Sequence, residues 1–96
     1  MAAVHEPWMM LDNWGSPIPA APILDRKESR VVGLEEMRSL ADGHRGLAEL
    51  LTKYQDLDTI FWYDSPAADW AMGMGNAGYY LVRDGFLVDE VLMRMN

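Results

Sequence analysis

The dipeptide Asp84-Gly85 constrains this 96-residue chain more than any other feature. Both residues tolerate a left-handed backbone, and a two-residue type I′ turn needs that at both central positions. The flanking runs, Tyr79 to Arg83 and Phe86 to Met95, are rich in aromatic and branched apolar residues. They read as paired antiparallel strands. The turn fixes a register: Arg83 opposite Phe86, Val82 opposite Leu87, Leu81 opposite Val88, Tyr80 opposite Asp89. One face of the hairpin then collects Tyr80, Val82, Leu87, Val91, Met93 and Met95, with Asp89 among them, and is the expected core face. The other collects Tyr79, Leu81, Phe86, Val88 and Leu92, interleaved with Arg83, Glu90 and Arg94. A bare apolar stripe of that size is unusual on a monomer. Either the chain's own N-terminal arm covers it, or a second copy does, which makes a homodimer through the hairpin face an expectation.

A second layer comes from residues 34–55. Leu34, Met37, Leu40, His44, Leu47, Leu51 and Tyr54 recur at helical spacing. Glu35 and Glu36 open the segment and Lys53 closes it, as the helix dipole favours. Asp42-Gly43 offers a break, but the apolar phase runs through without a slip, so one continuous or slightly kinked helix is predicted. Thr59 to Tyr63 is β-branched and aromatic and reads as a strand, ended by Asp64-Ser65-Pro66. Trp70 to Met74 reads as a weak strand, and Gly75 to Gly78 as a turn. Four of the five prolines, Pro7, Pro17, Pro19 and Pro22, lie in residues 1–33. That segment is therefore expected as an irregular arm wrapped over the domain. The predicted fold is α+β: residues 34–96 place one main α-helix on a three- to four-stranded antiparallel sheet with a C-terminal β-hairpin, behind a Pro-rich N-terminal arm.

Chemistry-bearing motifs are sparse. Gly73-Met74-Gly75-Asn76-Ala77-Gly78 matches the dinucleotide pattern G-x-G-x-x-G, but a strand follows it where a helix is required. It reads as a glycine turn. There is no cysteine, hence no disulfide and no thiolate nucleophile or zinc ligand. Asp56, Asp58 and His44 are the thinnest basis for a small metal-dependent hydrolase, since no third ligand is fixed near the two aspartates. The serines lack a nucleophile-elbow context. No enzyme activity, no cofactor and no metal are expected. The N-terminus has no basic, apolar secretory pattern and no run spans a membrane, so a cytoplasmic location is expected.

Charge carries the functional content. Eight Lys and Arg face fifteen Asp and Glu, a net charge of −7. Residues 1–55 hold eight acids and six bases, whereas residues 56–96 hold seven acids and two bases. Such a surface repels nucleic acid and anionic membranes. Asp56, Asp58, Asp64 and Asp69 alternate with Trp62, Trp70 and other aromatic or methionine residues. An acidic rim around aromatic anchors is the composition of a protein-binding surface. Trp8 and Trp14 add two anchors from the arm. The expected partner is a larger protein with a basic, nucleic-acid-binding surface, which this chain blocks or modulates. A self-associating accessory subunit is the alternative. In size and charge alone, the chain resembles small phage-encoded inhibitors, anti-CRISPR proteins among them; no motif carries that resemblance.

Overall fold

The computed structural model describes residues 6–96; the first five residues of the expected arm, His5 among them, lie outside the described residues. In chain order the elements are α1 (Ala20–Leu24), β1 (Glu28–Val32), α2 (Leu34–Ala41), α3 (Arg45–Lys53), β2 (Thr59–Asp64), α4 (Ala67–Ala71), β3 (Asn76–Arg83) and β4 (Phe86–Met95). Among the described residues, the four strands form one sheet in the order β1-β2-β3-β4, antiparallel throughout. The α+β class therefore stands. No helix is long and apolar enough to cross a membrane among the described residues.

The hairpin forms at the predicted turn, with Asp84 at φ 53° and Gly85 at φ 84°. Arg83 faces Phe86 and Val82 faces Leu87, as the turn dictates. The register then slips: Leu81 pairs with Asp89 and Tyr80 with Glu90, so Val88 is the extra residue of a bulge. A second shift lies between Ala77 and Gly78. Gly78 is required where the strands close up, because a Cβ there would sit 2.2 Å from the Val91 carbonyl oxygen.

Both faces of the sheet are buried. Tyr79, Leu81 and Val88 pack with Ile60, Val32, Met37, Ala41, Leu47 and Leu50, under α2 and α3. Tyr80 and Leu87 pack with Tyr63 and Ala20 on the opposite face, beneath Met10, Ile18, Ile23 and Leu24 of the N-terminal segment. This accounts for a hairpin with no polar face. It also corrects the expected single core face: Tyr79, Leu81 and Val88 of the other stripe belong to the main core, each worth about 1.5–3 kcal/mol of burial, while Leu92 stays 46% exposed. Tyr79, Leu81 and Val88 are interior.

Three further expectations are corrected. The helix over 34–55 is two helices. Gly43 takes φ 89° at the joint, and His44 caps α3, its Nδ1 accepting from the Leu47 N–H at 3.2 Å. The arm is not irregular throughout, since it supplies α1 and the edge strand β1, which pairs along β2 from Glu28↔Asp64 to Val32↔Ile60. The weak strand expected over Trp70 to Met74 is not formed: Trp70 and Ala71 end helix α4, and Met72 and Gly73 turn. Pro66 presets φ at −58°, Ala67 and Ala68 are strong helix formers, and Gly73 at φ 75° ends the turn. The glycine segment then opens strand β3 at Asn76.

Candidate functional site

The sequence places a tryptophan midway along a short loop, and the backbone makes that loop rigid. Its two legs stand on the outer edge of β4. The Met10 N–H donates to the Leu87 carbonyl, and the Leu87 N–H donates to the Ile18 carbonyl, both at 2.9 Å. Leu11 and Pro17 bridge above that base. At the tip the Asp12 carboxylate accepts from the Trp14 N–H at 2.8 Å and the Ser16 N–H at 3.0 Å. The Asp12 N–H donates to the Ser16 carbonyl, the Gly15 N–H donates to the Asp12 carbonyl, and Gly15 takes φ 77°. Asp12-Asn13-Trp14-Gly15-Ser16 is thus an Asx turn closed from both sides. The backbone donors of Asp12, Trp14, Gly15 and Ser16 are spent inward, and Trp14 is left 90% exposed.

The other tryptophans expected to bind a partner are less exposed than Trp14. Trp8 is half-buried, packs on the main core, and carries the Arg83 guanidinium 4.7 Å over its ring. Trp62 is half-buried against Tyr79, ring centroids 5.0 Å apart. The Trp70 indole N–H donates to Asp64 at 2.8 Å, the Arg94 guanidinium lies 5.4 Å from its ring, and the ring sits on Gly75 where no Cβ fits. Each of these three tryptophans has ring or hydrogen-bond partners within the chain.

The aspartates also divide. Asp58 is 8% exposed and is no rim charge. Its carboxylate accepts from Arg83 Nε and Nη2, both at 2.8 Å, and from the Gln55 N–H at 2.9 Å. Burial pushes its pKa up, but the Arg83 hydrogen bonds and charge with the Gln55 N–H outweigh it and hold the carboxyl below its ordinary value. Asp64 is turned to Trp70 and lies 3.8 Å from Arg94. Asp69 is half-exposed in the first turn of α4, and Asp56 is exposed in the turn before β2. Leu57 beside it is 99% exposed at φ 74°. Asp12 and Leu57 were missed as contributors. The Asp-x-x-Gly-Ser spacing signals the first, whereas only the structure exposes the second.

Charge pairing gives the surface its sign. Among the described residues, Arg30, Arg45, Lys53, Arg83 and Arg94 each have a carboxylate partner within 4.0 Å. Five of the eight bases thereby have a carboxylate partner inside the chain, and ten of the fifteen acids form no such pair. Exposed among those ten are Glu6, Asp12, Asp25, Glu28, Glu35, Asp42, Asp56 and Asp84. Within the Asp56, Asp58 and His44 set, Asp58 is committed to Arg83 and the His44 Nδ1 to its helix. No group of three or more His, Asp or Glu among the described residues is placed to hold a metal ion. No family model, no curated protein and no solved structure matches the chain.

Proposed function

We propose that this protein is a small acidic binding module that attaches to a basic surface of a larger protein, with Trp14 as its anchor. The observation that carries the reading is the indole held 90% exposed on a turn locked by Asp12 and footed on β4. Tryptophan is the residue most enriched among interface hot spots. Exposing one in water has no folding benefit, and fixing its backbone beforehand lowers the entropy cost of docking. The surplus of unpaired acids supports a basic partner through long-range attraction. Basic protein surfaces are often nucleic-acid sites. An inhibitor that occupies one is the form that agrees with the size-and-charge resemblance to phage-encoded inhibitors.

Affinity capture from the source cell, run in parallel with wild type and Trp14→Ala, tests the reading. A partner retained by wild type, lost with Trp14→Ala and weakened by rising salt is the expected result. Equal retention by both proteins would sink it.

A further inference from the structure

A groove of about 470 Å³ lies where the N-terminal segment passes the end of α3. Trp8, Met9, Met10 and Val88 give it apolar walls, and Lys53 and Arg83 give it charge. In a chain with fifteen acids, none lines it. Arg83 explains how the groove is charged yet rigid. Its Nε and Nη2 donate to Asp58, and Nη2 also donates to the Lys53 carbonyl at 2.9 Å. Trp8 covers one face of the guanidinium. The two Nη1 hydrogens have no acceptor among the described residues, and no buried side-chain nitrogen is left unsatisfied there. Nη1 therefore meets solvent, and Arg83 borders the groove. The nearby Lys53 ammonium is half in solvent, with one carboxylate, Asp89, at 3.3 Å. A fixed guanidinium edge with two spare donors beside a half-exposed ammonium has the hydrogen-bonding groups that a carboxylate needs.

We infer that this groove takes the C-terminal end of a partner polypeptide, an apolar last residue against Trp8, Met9, Met10 and Val88 and its α-carboxylate on Arg83 Nη1 and Lys53. The apolar walls and unpaired donors fit that pairing. Thr52 and Gln55 on the rim offer side-chain partners for the peptide backbone. The volume lies in the range of small-ligand sites and admits about two or three residues. This inference is independent of the Trp14 reading, since no residue of the Trp14 turn lines the groove.

Calorimetric titration of the full chain with an acetylated Gly-Leu-Phe tripeptide tests it, in free-acid and amide forms, with decanoate as a carboxylate that is not a peptide. The acid should bind, and the amide should bind at least about tenfold more weakly, because a charge-assisted contact is lost. Lys53→Met should weaken the acid severalfold. Asp89→Asn, which frees Lys53, should tighten it. Both variants should leave the melting temperature within a few degrees: Lys53 is half-exposed, and asparagine at position 89 keeps the Oδ1 that accepts from the Glu90 N–H. The Trp8 indole N–H should be the tryptophan resonance that shifts. Equal binding of acid and amide, no binding at millimolar concentration, or shifts confined to Trp62 and Trp70 would overturn the site. Decanoate binding tighter than the peptide acid would overturn the choice of occupant.

Discussion

Replacing Asp58 by Asn removes a charge that the fold has buried with its partner. The two side chains are 1% and 11% exposed, so water does little to screen the loss. Asparagine keeps the shape but turns an NH₂ either toward Arg83 Nε or toward Arg83 Nη2 and the Gln55 N–H together, donor against donor. Removing one member of a buried pair costs about 3–5 kcal/mol. Nη1 of Arg83 already reaches solvent, which lets water recover part of that, so about 3 kcal/mol is expected. For a chain of this size, that is a large part of a stability on the order of 5–15 kcal/mol. With a urea slope of about 1.5 kcal/mol/M, the unfolding midpoint should fall by roughly 2 M. The pH dependence carries a second signature. Asp58 is held below its unfolded pKa, so its contribution is fully present above about pH 4. It is lost as pH falls through the depressed folded value. The Asn variant should lack that component of acid unfolding. Urea titrations at pH 7 and between pH 5 and 2 measure both. A cost under about 1 kcal/mol, with acid unfolding unchanged, would return Asp58 to the free surface and refute the buried-pair reasoning.

Leu57→Gly should stabilise the fold by about 0.5–1 kcal/mol, since relief of the left-handed strain at a leucine exceeds the entropy cost of glycine. A melting temperature raised by roughly 3–5 °C is expected, and a fall would contradict the strained turn. Alkaline pH should act in the opposite direction to Asp58. Burial, then the hydrogen bond and charge of Glu90, raise the Tyr63 pKa, and burial followed by the Glu90 charge raises that of Tyr80. Their stabilisation is complete below the unfolded value near pH 10. It declines above it by up to about 1.4 kcal/mol per pH unit for each tyrosine, measurable by urea unfolding from pH 9 to 11.5. A flat profile there would contradict the burial of the two phenols.

The hairpin was legible because its turn depends on two residues alone. Its register was not, because the bulge at Val88 is decided by what lies on either side of the sheet. Leu87 and Val88 are both apolar, so a strict alternation could not show that one serves the arm side and the other the helix side. The break at Asp42-Gly43 was visible as chemistry but was outweighed by an apolar phase that two short helices happen to keep. The periodicity puts His44 inside one helix, whereas its Nδ1 is the cap that starts α3. Strand β1 was hidden by the prolines before it, although Arg30-Val31-Val32 has the residue types of a strand. For the site, composition named the tryptophans but could not rank them. Trp8, Trp62 and Trp70 found ring or hydrogen-bond partners far away in sequence, and Trp14 found none. The same holds for Asp58, whose partner lies twenty-five residues on, at Arg83.

The central claim is that Trp14 works in binding and not in folding. Trp14→Ala measured in two assays, urea unfolding and affinity for the captured partner, tests it most directly. The account expects stability within about 0.5 kcal/mol of wild type, because an exposed side chain contributes little. It expects an affinity loss of about 2 kcal/mol or more, roughly thirtyfold, seen mainly in the dissociation rate. A variant that loses several kcal/mol of stability, or that binds its partner as tightly as wild type, would contradict it.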